Sequence, residues 1–143
     1  MPSPQDRTSP RPLIVESERL HSAIVTVRNA CVPPADRQPL SFDAPEARAG
    51  TRIVLDVPIR ITAATVDSQT VELLNHPLPG KAIDLSLGGL AFVHGERLER
   101  SDTCVVTFAL PGLEPISLVV KLLWTADDPH SGFRSGGRFV GMI

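Results

Sequence analysis

The chain has 143 residues, 42% of them apolar and 21% charged, which is the size and balance of one soluble globular domain. A formal net charge of -2 excludes a general nucleic-acid or anionic-membrane surface, so any anion site must be a local patch. Fourteen prolines and ten glycines without long helix-forming runs indicate short strands and turns, and the two cysteines, Cys31 and Cys104, are more in keeping with a reducing compartment than with a disulfide framework.

Residues 1–12 are rich in Pro, Ser and charge and are expected to be a disordered tail. The opening residues lack the charged-then-apolar layout of a secretion signal, and no apolar run could span a bilayer, so the expected location is cytoplasmic without membrane insertion. Residues 13–47 form an extension. In it Ser17-Glu18-Arg19-Leu20 suits a helical turn, while the β-branched run Ala23-Ile24-Val25-Thr26-Val27 predicts a short strand. Loop chemistry then returns with Pro33, Pro34, Pro39, Pro45 and Gly50.

The main domain is expected over residues 48–143. Ile53, Leu55, Val57, Ile59 and Ile61 alternate with residues that include Asp56, Arg60 and Thr62, the period of a strand with one buried face. Short strands follow at Thr70–Leu74, Lys81–Asp84 and Leu90–Val93. Cys104, Val106, Phe108 and Leu110 alternate, as do Ile116, Leu118, Val120, Leu122 and Trp124. A loop is expected over 127–132 and a last strand over 138–142. No helix-period segment separates these strands, which predicts an all-β antiparallel barrel or sandwich.

Two segments carry candidate chemistry. Arg48-Ala49-Gly50-Thr51-Arg52 puts two guanidinium forks just before a strand, a pairing suited to bidentate phosphate contacts. Asp84-Leu85-Ser86-Leu87-Gly88-Gly89 puts two short polar side chains on one face of an extended segment. There Asp84 could accept from the N1 and N2 donors of a guanine and Ser86 could add a bond, while Gly88 and Gly89 allow a tight turn and close approach of a flat base. Read alone, Arg48 and Arg52 are solvated charges paired with Glu46 or Asp56, and Asp84 and Ser86 stabilise a turn. Trp124, alternating with Leu122 and Val120, is expected in the core or at a barrel rim. His21, His76, His94 and His130 share no metal-ligand spacing, and no nucleophile–base pattern or nucleotide-loop fingerprint is present, so neither an enzyme nor a cofactor is expected.

Taken together, Arg-x3-Arg before the first barrel strand and Asp-x-Ser-x-x-Gly after it resemble the signature of PilZ domains. The likeness continues through AIDLSLGGLAF, VTFALPG, VVKLLW and GRFVGMI and covers roughly residues 48–143. It implies a six-stranded barrel that binds cyclic di-GMP without catalysis and signals to an unidentified effector protein in motility, biofilm or polysaccharide control. The alternative is a ligand-independent adaptor. Arg48 and Arg52 would hold phosphates, and Asp84, Ser86, Gly88 and Gly89 would surround a guanine. Trp124 and Arg138 are further ligand candidates. Two departures from the family pattern stand out. No long C-terminal helix follows the last strand, and Ala47 replaces an arginine that helps hold a stacked ligand dimer. The second favours one ligand per domain, unless Arg37, Arg60 or Arg138 takes that part; homodimerisation is left open.

Overall fold

The alternation that starts at Ile53 becomes the longest strand of the protein. The computed structural model describes residues 10–31, 53–74, 76–96, 98, 102–130 and 132–143. Its elements are β1 (Arg11–Pro12), α1 (Ser17–Cys31), β2 (Ile53–Asp67), β3 (Thr70–Leu73), β4 (Leu78–Leu85), β5 (Gly89–His94), β6 (Thr103–Phe108), β7 (Ile116–Asp128) and β8 (Gly132–Met142). Neighbours pair in the order β1-β3-β2-β4-β5-β8-β7-β6, all antiparallel, and β6 returns to β2 through Arg60↔Thr107 to Ala64↔Thr103. That return closes β2, β4, β5, β8, β7 and β6 into the expected six-stranded barrel.

Inside the barrel, Leu55, Ile59 and Ile61 of β2 meet Phe92, Phe108, Leu118 and Val120. Each such side chain contributes roughly 1.5–3 kcal/mol on burial. This magnitude decides the first mismatch with the sequence reading. Residues 23–27 fold as part of α1, not as a strand. Leu20, Ala23, Ile24, Val27 and Cys31 fall on one helical face, and all join the barrel's main apolar cluster. The helix-propensity penalty of a β-branched residue is under about 0.7 kcal/mol, too small to resist that packing. Glu18 in the first turn and Arg28 in the last complement the helix dipole.

Residues 1–9, part of the expected tail, lie outside the described residues, but Arg11 and Pro12 pair with Val71 and Thr70. Leu13 N–H donates to Gln69, and Ile14 exchanges two backbone bonds with Met142 at 2.8 and 2.9 Å. This segment helps cover a second apolar cluster of Ala64, Val71, Val105 and Val119, with Leu13, Leu73, Val140 and Ile143 around it. Residues of this N-terminal segment therefore contribute to both cores.

The other mismatch is at β7 and β8. The loop expected over 127–132 is much shorter, since Asp127 pairs with Phe133 and Asp128 with Gly132. Asp128 Oδ1 accepts from His130 N–H at 2.9 Å and its Oδ2 meets Arg134 at 3.3 Å, so the acidic loop closes on itself. The Gly- and Ser-rich stretch before Arg138 has little strand propensity of its own; β5 on one side and β7 on the other hold it extended. Cys31 and Cys104 carry free thiols.

Candidate functional site

The turn from β4 to β5 is locked by its own polar groups. Ser86 N–H donates to Gly89 C=O at 3.0 Å, and Gly89 N–H donates to Ser86 Oγ at 3.1 Å. Leu87 is buried and anchors the turn inward, and Gly88 C=O accepts from Phe139 N–H at 3.0 Å. A side chain at Gly89 would collide with the Gly137 carbonyl, so β5 and β8 need glycine there.

Cross-strand register builds the site from this turn. Val54, Asp84, Ala91, Gly136 and Trp124 are directly opposed in succession across β2, β4, β5, β8 and β7. Opposed residues share a face, so this row lies on the outside of the barrel. Its middle is the small pair Ala91 and Gly136, with a carboxylate at one end and an indole at the other. Three strand spacings separate those ends, about 14 Å. The resulting cavity of about 110 Å³ is lined by Asp84, Ser86, Gly89, Leu90, Ala91, Leu123, Trp124, Gly136 and Gly137.

Two register shifts aim the walls. One falls between Ala82 and Asp84, the other between Leu122 and Trp124, where Leu123 is the extra residue. The second shift corrects the expectation for Trp124. Val120 is buried inside the barrel, but Trp124 is 46% exposed and faces the cavity. Leu123 beside it is 64% exposed.

Of the site residues read from the sequence, Asp84, Ser86, Gly89 and Trp124 are brought together around this cavity. Gly88 lies in the adjoining turn, outside the lining. Arg138 sits opposite Gly89 in register and is exposed, also outside the lining. Arg48, Arg52 and Ala47 lie outside the described residues. Ile53, the residue after Arg52, pairs with Leu85 next to Ser86. Asp56, one partner suggested for the arginines, meets Lys81 at 3.2 Å. The sequence reading missed Leu90, Ala91, Leu123, Gly136 and Gly137. The signals were present: three apolar residues in succession, Leu122-Leu123-Trp124, break the alternation, and Gly136-Gly137 interrupts a strand.

A polar chain lies behind the pocket on the inner side of the same strands, buried at His94 and Ser135 and exposed at Thr125. His94 is only 2% exposed, between Phe92 and Phe133, whose rings lie 5.5 and 5.8 Å from its own. Its Nδ1 meets Glu96 C=O at 2.7 Å, and because a carbonyl only accepts, Nδ1 carries the proton. Nε2 of the neutral ring then accepts from Ser135 O–H at 2.7 Å, and Ser135 Oγ accepts in turn from Thr125 O–H at 3.0 Å. Burial holds the His94 pKa below its ordinary value, with the Glu96 carbonyl opposing that shift in part. Burial also pushes the Cys104 thiol up to about 12, which leaves it inert.

A model of the PilZ domain family matches residues 46–142. The chain belongs to the PilZ domain family. No curated protein and no solved structure matches it. PilZ domains form a family of cyclic di-GMP receptors, binding modules and not enzymes. In this PilZ domain the Asp-x-Ser-x-x-Gly turn supplies one wall of the cavity, and the β7–β8 hairpin supplies the other. Among the described residues no helix is long and apolar enough to cross a membrane.

Proposed function

We propose that this PilZ domain is a cyclic di-GMP receptor that takes one guanine of the ligand into the cavity between Asp84 and Trp124. The observation that carries the reading is the row Asp84, Ala91, Gly136, Trp124, a carboxylate and an indole facing each other across a floor without bulky side chains. The carboxylate suits the adjacent N1–H and N2–H donors of guanine, and a charge-assisted pair of that kind is stronger than a neutral one. Ser86 Oγ accepts from Gly89 N–H at 3.1 Å and donates to Gly89 C=O only over a long 3.5 Å, a contact that a ligand acceptor can replace. Trp124 offers an exposed π-face to a flat base.

Arg48 and Arg52 are assigned to the phosphates, on the resemblance of Arg-x3-Arg to the family motif. Binding would draw the motif segment against the barrel, and an effector protein in the cytoplasm would read the altered surface. Ala47, in place of a further arginine, favours one ligand per domain.

Calorimetric titration of the full chain with cyclic di-GMP tests this directly. Trp124 is the sole tryptophan and the chain has no tyrosine, so its fluorescence reports on the pocket. A saturable heat and a saturable fluorescence change, at one ligand per chain, are expected. Neither signal at high micromolar ligand would sink the reading.

A further inference from the structure

On the outer face, the row next to the pocket floor contains Gly89, Arg138 and Lys121, directly opposed across β5, β8 and β7. Both cations are exposed. On the other side of the floor the cations are neutralised: Lys81 meets Asp56 at 3.2 Å and Arg134 meets Asp128 at 3.3 Å. No ion pair joins Lys121 or Arg138 to a described carboxylate. Two like charges directly opposed on neighbouring strands destabilise a sheet, so this pair costs the fold something unless an anion sits between them. Gly89, the third member of the row, adds no side chain of its own, and the Gly137 carbonyl takes the place one would occupy.

Position says which anion. Arg138 is two residues along β8 from Gly136, so the pair lies about 7 Å from the cavity floor, on the same face. A phosphate joined through a ribose to a base in the cavity can reach that far. The guanidinium fork supplies paired N–H donors and the ammonium a mobile point charge, a combination suited to phosphate oxygens. We infer that Lys121 and Arg138 form an anion subsite that holds a phosphate of the nucleotide whose base lies between Asp84 and Trp124. The inference rests on the ligand reading above; it adds Lys121 and gives Arg138, already a ligand candidate from the sequence, a defined role.

The test compares the wild-type chain with Lys121→Gln, Arg138→Gln, the double variant and Lys81→Gln as a control, each titrated with cyclic di-GMP and with guanosine at low and high salt. Each single change should weaken cyclic di-GMP binding about tenfold, the size expected for one charge-assisted contact. The double variant should also bind with a shallower salt dependence. Guanosine, which has no phosphate, should bind the double variant and the wild type alike. Lys81→Gln should behave as wild type, and Lys121→Arg should retain binding. Removing one of two opposed charges should leave the thermal midpoint of the free protein unchanged or raised. Unchanged cyclic di-GMP affinity in the double variant overturns the subsite, and so does an equal loss for guanosine. If the wild type binds no cyclic di-GMP, the ligand reading fails by itself and inorganic pyrophosphate decides the subsite. A rise in thermal midpoint that the double variant loses supports it, and no rise in the wild type overturns it.

Discussion

The indole of Trp124 lies so close to Gly136 that a methyl group there would come within 2.5 Å of its Cε2, Cζ2 and Nε1 atoms. Glycine at 136 therefore sets where the tryptophan wall stands. Gly136→Ala should displace the ring, change the fluorescence of the free protein and weaken cyclic di-GMP binding. Trp124 is half-exposed and can move, so the cost in stability should stay at the low end of the overpacking range, about 1 kcal/mol. Urea denaturation and a ligand titration on the same variant separate the two effects.

Asp84→Ala should cost more in binding than Gly136→Ala. Charge-assisted hydrogen bonds contribute about 1.5–3 kcal/mol, which corresponds to roughly ten- to hundredfold in affinity. Arg48→Ala and Arg52→Ala should each weaken binding too, and calorimetry with cyclic di-GMP measures all three variants. Affinity within twofold of wild type in all of them would remove the basis for placing the ligand here.

His94 predicts a particular pH dependence of stability. Its folded-state pKa is lowered, chiefly by burial, so the unfolded chain takes up the proton first as pH falls. The stability associated with neutral His94 is complete above the unfolded value of 6.5 and is lost as pH drops from there towards the folded pKa. Protonation also removes the Nε2 acceptor for Ser135, breaking the chain that continues to Thr125. Denaturation midpoints of the wild type should fall between pH 7 and pH 5. His94→Gln should show a smaller fall over that range, and identical slopes would disprove the assignment.

The helix that precedes the barrel should matter to stability as much as a core strand. Ile24 is 1% exposed and joins the main cluster, so Ile24→Ala should destabilise by about 2–5 kcal/mol. A change below about 0.5 kcal/mol in urea denaturation would show that α1 does not hold the barrel in solution.

Cys104 should resist thiol reagents in the folded state, since its thiol is pushed up to about 12 and its side chain is fully buried. Cys31, half-buried at the end of α1, should be modified first. Mass spectrometry after brief alkylation distinguishes the two.

Much of the barrel was legible because strand periodicity is local. The alternation from Ile53 to Ile61 and from Ile116 to Leu122 needs only neighbours in the chain to be read, and so does the turn Asp84 to Gly89. Residues 23–27 misled because their β-branched composition is also local, while the reason they form a helix is not. Ile24 and Val27 are helical because they join the apolar cluster that also holds Leu55 and Phe92, far along the sequence.

By itself, then, the sequence determined the strand content, the closing turn of β4 and the motif resemblance to PilZ domains, all features of residues close together in the chain. Only the tertiary structure decided that Trp124 faces outward, that it stands over Gly136 across from Asp84, and that Lys121 is opposed to Arg138 in register. Those relationships depend on register between strands and on the extra residues Ile83 and Leu123. A one-residue shift turns a side chain to the opposite face, and the partner strand decides where that shift falls.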